Sequence, residues 1–154
     1  MFRAITLIFL IVSVSAHDAP ARLSETKAQL DARYGPSVKK LQADPGEEMF
    51  EYRHADFFVV VTLVRGKSES EIYAHQDGKT PLSEREIQSF LDINSFGKHW
   101  ERSPDIPVWS LGGSDPSTWI ALAAYYPKSP HIVAPGLGIM TITYAKQHGF
   151  IPNI

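Results

Sequence analysis

Residues 49–75 read MFEYRHADFFVVVTLVRGKSESEIYAH. β-Branched and aromatic side chains dominate three runs within it, 49–54, 57–64 and 69–75, and mark them as strands. Ala55-Asp56 and Arg65-Gly66-Lys67-Ser68 separate them as hairpin loops of two and four residues. With those loop lengths His54 faces Phe57, Arg53 faces Phe58, Val64 faces Glu69 and Phe58 faces His75. Opposed residues share a face of a sheet, and successive residues alternate. One face therefore collects Phe50, Tyr52, Phe57, Val59, Val61, Leu63, Ile72 and Ala74, which is the expected core face. The other collects Glu51, Arg53, Phe58, Val60, Thr62, Val64, Glu71, Tyr73 and His75. Rings and aliphatics mix there with both signs of charge, as at protein-recognition patches. A slip of one residue would exchange the two sets.

Upstream of this meander, Ser24 is the expected N-cap of a helix in which Leu30 and Tyr34 lie one turn apart and which Gly35-Pro36 ends. Residues 36–48 read as a polar connector. Downstream, Ser83 and Glu86 form a capping box, with Leu82 and Ile87 as a hydrophobic staple. Ile87, Phe90, Leu91 and Asn94 keep helical spacing, and Gly97 closes the element. Further strands are expected at 108–111, 118–126, 131–134 and 139–145, with turn chemistry between them. The order helix, strand, strand, strand thus occurs twice, in halves 17–79 and 80–154. Internal duplication and a single domain with coincidental similarity both explain it. Either way the expected class is α+β, an antiparallel sheet covered by two helices.

The chain has 154 residues, 44% hydrophobic and 21% charged, with no cysteine and a formal charge of −2. Those values describe one globular domain and exclude disorder, coiled coil and a disulfide scaffold. Residues 1–16, MFRAITLIFLIVSVSA, have the layout of a secretory signal peptide: Arg3, an apolar run over 4–14, and small residues before His17. The run is well short of the roughly 20 residues that a spanning helix needs. The expected product therefore begins at His17, is exported to the periplasm or secreted, and has no membrane span. Loss of Arg3 leaves 14 Lys+Arg against 17 Asp+Glu. There is no basic stripe to attract nucleic acid. An exported chain without thiols is held by core packing alone.

Chemical motifs are sparse. No G-x-S-x-G elbow occurs, and Gly136-Leu137-Gly138 lacks the third glycine of a dinucleotide site, so no cofactor is expected. The six histidines show no metal-ligand spacing. His54 and His75 lie at one end of the meander, but the register above sends them to opposite faces, which excludes a shared metal. Glu51 and Glu71, flanking the Thr62 row, are the one carboxylate pair with the separation of an inverting hydrolase. Trp119 is expected in the core, whereas Trp109, on a short strand after Pro107, is a candidate for partial exposure.

At Leu82-Ser83-Glu84-Arg85-Glu86-Ile87, then Asn94, Gly97 and Trp100, with Ala32-Arg33-Tyr34-Gly35 before them, the chain resembles small exported bacterial proteins of unknown function. The resemblance spans residues 24–101 and implies an exported α+β module without an assigned activity. Its doubled helix-plus-meander order is also similar in architecture to the tandem modules of beta-lactamase inhibitory proteins and to the single module of outer-membrane assembly lipoproteins. The lipid-anchor cysteine of the latter is absent. The expected function is a non-enzymatic module that binds an envelope or secreted protein through a sheet face bearing Arg53, Phe58, Val60, Tyr73 and His75. Two alternatives stand beside it: a small-ligand carrier with a cavity lined by Tyr34, Phe90 and Trp119, and a small carboxylate- or histidine-dependent hydrolase.

Overall fold

In a computed structural model, residues 23–113, 115–126 and 134–151 are described. The leader at 1–16 lies outside them, as does all of the expected strand at 131–134 except Ala134. The fold is α+β: among the described residues, one antiparallel sheet of eight strands with three helices. In chain order the elements are α1 (Lys27–Tyr34), β1 (Lys39–Leu41), β2 (Glu47–His54), β3 (Phe57–Val64), β4 (Lys67–His75) and α2 (Glu84–Ile93). They continue with β5 (Trp100–Arg102), β6 (Val108–Leu111), β7 (Ala121–Tyr126), β8 (Gly136–Thr141) and α3 (Ile142–Gln147). Across the sheet the strands run β1-β2-β3-β4-β8-β7-β6-β5, so each set of four is a meander and the two meet where β4 pairs with β8.

The helices start where side chains satisfy their free backbone N–H groups. Ser83 and Glu86 form the expected capping box of α2, and Leu82 and Ile87 are buried behind it. At α1 the cap is Thr26, with Gln29 completing the box, rather than Ser24. Ser24 has φ 73° and donates its backbone N–H to the Ser68 carbonyl, while Ser68 N–H bonds Glu25. Those two bonds tie the chain before α1 to the start of β4, which takes Ser24 out of the helix.

Three further expectations need correction. The connector 36–48 contains β1, and β5 follows α2 without a mark in the sequence; both are three-residue edge strands, too short for a periodic signal. The run 118–126 begins as a 3-10 turn at Pro116–Thr118, and only Ala121–Tyr126 is strand. The run 139–145 changes state at Thr141, whose hydroxyl accepts the Tyr144 N–H and caps α3.

The hairpin at Ala55-Asp56 has the expected register, with His54 opposite Phe57 and Arg53 opposite Phe58. The next one does not. Its loop is only Arg65-Gly66, both at positive φ (52° and 75°), so Val64 pairs with Lys67. A bulge then places Thr62 opposite Ser70 and Leu63 opposite Ser68, with Glu69 as the extra residue. Beyond the bulge β4 is one residue out of the expected register, and its faces are exchanged. Glu71, Tyr73 and His75 point to the helix-covered inner face, whereas Ile72 and Ala74 point to the outer face.

The main core fills the inner face. Tyr52, Val61, Leu111, Leu137 and Ile139 from the sheet meet Leu30 of α1 and Leu91 of α2, all essentially without solvent exposure. A smaller cluster lies on the outer face, where Tyr144 and Ala145 of α3 pack on Leu122 and Met140.

Candidate functional site

Adjacent residues of β4 build two polar centres on opposite sides of the sheet. Glu71 is buried between α1 and α2. One of its oxygens accepts hydrogen bonds from the Tyr73 hydroxyl and, at 3.1 Å, from the Tyr34 hydroxyl of α1. Asn94, at the end of α2, donates its amide to the Tyr73 oxygen at 3.1 Å. The other carboxyl oxygen, Oε1, has no hydrogen-bond partner among the described residues. Burial pushes the Glu71 carboxyl above the usual carboxylate range, outweighing the two tyrosine hydroxyls and the Arg33 guanidinium that favour its charge; Glu25 adds to the rise. Burial and then the Glu71 carboxyl hold the Tyr73 phenol well above its ordinary value. Glu71 lines neither of the two pockets described below. The cluster is a sealed strut between two helices and β4.

The outer face carries the accessible site. Met49, Thr62, Ser70 and Met140 face one another in a continuous cross-strand row over β2, β3, β4 and β8. In the next row lie Ile72 and Gly138. Together they floor a pocket of about 390 Å³. Its walls come from Tyr144, His148 and Phe150 at the end of the chain, from Asp44 and Glu47 at the start of β2, and from Tyr126 of β7. The Tyr144 ring stacks on His148 with centroids 4.1 Å apart, and His148 Nε2 lies 2.9 Å from Glu47 Oε1, which joins α3 to β2. Burial first, and Glu47 next, raise the Tyr144 phenol, while the Thr62 hydroxyl beside it acts in the opposite direction. Ser70 is 4% exposed, and its hydroxyl has no hydrogen-bond partner among the described residues. The bulge produces this floor: in an unbroken ladder from the Arg65-Gly66 loop, Glu69 would stand opposite Thr62.

A second cleft of about 540 Å³ lies between α2 and the β5–β6 edge, with Trp100, Trp109 and Tyr125 in its wall. Its tryptophans are committed to packing. Trp100 donates its indole N–H to Leu91 at 2.7 Å, and Trp109 is 8% exposed beneath the Arg102 guanidinium, 5.5 Å from the ring centre. The expected exposure of Trp109 is therefore not found.

The expected binding set is divided by the sheet. Arg53, Phe58 and Val60 lie on the outer face; Arg53 is exposed and covers the half-buried Phe58 ring at 5.1 Å, while Val60 is 6% exposed. Tyr73 and His75 lie on the inner face because of the bulge. Tyr73, 1% exposed, stacks on Phe90 at 4.2 Å, and His75 packs on Phe57 and approaches Glu86 at 3.4 Å. The same shift brings His54 and His75 to one face, on either side of Phe57. There His54 sits edge-on to Tyr34, and no group of three metal-ligating side chains occurs among the described residues. Glu51 and Glu71 are placed on opposite faces, which removes the hydrolase pair. Tyr34 and Phe90 belong to the inner core and Trp119 to the outer cluster, so the three line no common cavity.

The pocket itself escaped sequence reading because its floor crosses the β4–β8 seam, which joins residues far apart in the chain. Its faint trace in the sequence is that Met49 and Met140, the two methionines beyond Met1, both belong to it.

No protein-family model matches the chain, and no curated protein does. Among solved structures it is similar to a cysteine-rich secretory protein from Staphylococcus aureus subsp. aureus Mu50, with a TM-score of 0.45 and 7% identity over 80% of this chain and 46% of that one. It is also similar to an extracellular protein containing an SCP domain from Bacillus anthracis str. Ames, with a TM-score of 0.43 and 12% identity over 94% of this chain and 51% of that one. The chain spans about half the length of each.

Proposed function

We propose that the protein is an exported, non-enzymatic binding module that takes a small amphipathic group in the outer-face pocket. Export rests on the leader-like layout of residues 1–16. The observation that carries the binding reading is the floor of the pocket: two methionines flank two buried hydroxyls, and that of Ser70 is unpartnered among the described residues. That hydroxyl opens into the pocket, where a ligand group would supply a partner. The volume falls at the small end of the roughly 300–1,000 Å³ typical of ligand pockets. Glu71, the carboxyl shifted by complete burial, lies on the far side of the sheet, which favours binding over acid–base chemistry.

The test is titration of the chain from His17 onward with the neutral fluorophore N-phenyl-1-naphthylamine. Saturable enhancement in the wild type is expected, and its loss in Ser70→Leu, which fills the floor. Circular dichroism melts establish that the variant is folded. Absence of saturable binding in the wild type, or equal binding by folded Ser70→Leu, overturns the assignment.

A further inference from the structure

We infer that the group recognised by this pocket is a small organic cation, an ammonium head on an apolar body. The inference deepens the binding reading above and rests on it. The wall's charged residues agree on sign. Asp44 stands just before β2 and Glu47 at its start, and among the described residues no lysine or arginine lines the pocket. The one basic side chain, His148, is already held against Glu47 at 2.9 Å. A carboxylate or phosphate entering here would meet Asp44, a Glu47 already paired with His148 and no guanidinium, whereas an ammonium would meet complementary charge at Asp44.

The rings point the same way. Tyr126, Tyr144 and Phe150 stand around the cavity, and aromatic faces attract cations through their negative quadrupole, Tyr and Phe among them. Below them the floor offers Met49, Met140 and Ile72, soft apolar surface suited to the body of an amphiphile. The Ser70 hydroxyl is the remaining element: more than nine-tenths buried, on the floor row and without a partner among the described residues, it can accept an N–H from a primary ammonium. Acidic residues alone would mark only a solvated rim. Here they stand over an apolar floor with an unspent acceptor.

The experiment uses the chain from His17 with methionines labelled at the 13C-methyl group, so that its two methyl signals, Met49 and Met140, both report from the pocket. Three probes share one skeleton: 3-phenylpropylamine, 3-phenyl-1-propanol and 3-phenylpropionate, as cation, neutral molecule and anion at pH 7. The amine is expected to shift both methyls saturably and to bind about tenfold more tightly than the alcohol, and the carboxylate more weakly than either. Asp44→Asn, at an exposed position, and the double variant with Glu47→Gln are expected to bring the ratio of amine to alcohol affinity down towards one. Equal binding of amine and alcohol, or preference for the carboxylate, overturns the cation assignment and leaves the pocket as a neutral apolar site. If none of the three probes moves either methyl while the protein is folded, both the cation assignment and the binding reading fall.

Discussion

Ser70 and Glu71 are neighbours on one strand, and the sheet turns them into opposites. Glu71 is enclosed by two helices, bonded to two tyrosines and set on the side of the sheet away from the pocket. Ser70 is nearly as buried, yet its hydroxyl faces an accessible pocket and answers to no described side chain. Burial alone therefore does not separate structural from functional polar groups. The separation lies in whether the surrounding protein has already used their hydrogen-bonding capacity.

The sharpest way to break the comparison is on the sealed side. Tyr73→Ala removes the ring stacked on Phe90 and one hydrogen bond from each of Glu71 and Asn94, leaving Glu71 with Tyr34 and Asn94 with the Phe90 carbonyl, so a loss of about 3–5 kcal/mol or failure to fold is expected in urea melts. Tyr73→Phe keeps the stack and loses only the hydroxyl, for about 1–3 kcal/mol. If Tyr73→Ala melted like the wild type, the strut would not exist.

A pH series sharpens the same side. The folded-state value of Glu71 is raised above that of the unfolded chain, so its contribution is fully present below the unfolded value and is lost as pH rises through the folded one. Asp31, Asp77, Glu86 and Asp115 are lowered, chiefly by hydrogen bonds, and their contributions run the other way, being lost as pH falls through their folded values. Wild-type minus Glu71→Gln stability therefore isolates Glu71. That difference is expected to fall as pH rises above the ordinary glutamate value of about 4.3, read from urea midpoints between pH 4 and 8. A flat difference would mean that burial does not raise the Glu71 carboxyl.

Two glycines of β8 test the seam between the sides. A Cβ at Gly136 would lie 2.9 Å from the Tyr73 carbonyl, so Gly136→Ala is expected to cost about 1–3 kcal/mol. At Gly138 the nearest atoms are 3.6 Å away or more, so Gly138→Ala is expected within about 0.5 kcal/mol of the wild type while narrowing the pocket. The smallest effect belongs to Ser70→Ala. Its hydroxyl bonds nothing described, so the melting temperature should hardly move, in contrast to any truncation of Glu71 next to it. A large loss at Ser70 would reveal a structural partner for that hydroxyl and remove it from the site.

The sequence made the first hairpin and the α2 cap legible because each has a local signature: a two-residue loop between apolar runs, and a serine three residues before a glutamate. The second hairpin was illegible for an equally local reason. Ser68-Glu69-Ser70-Glu71 alternates two polar residue types, so no apolar side chain marks which residue is extra, and the bulge at Glu69 is silent. That one residue decides the fate of Tyr73 and His75, and with them the composition of the candidate site. Glu71 misleads in the same way, since a glutamate on a strand reads as solvent-facing until a helix from either side is seen to close over it. Arg53 and Phe58 precede the bulge, so the two-residue loop alone places them on the outer face. The pocket depends on which strand lies beside β4, and nothing local to β4 or β8 states that.

The mirrored strand order also has a kinetic consequence. Among the described strands, every neighbouring pair but one is consecutive; the exception is β4–β8, joined by five residue pairs from Ser70–Met140 to Ala74–Gly136. Nearby segments find one another quickly, and distant ones pay more loop-closure entropy. Each meander can therefore assemble from local contacts, and the single long-range ladder closes afterwards. Because the Met49–Thr62–Ser70–Met140 row straddles that ladder, the pocket comes into being only when the two meanders dock.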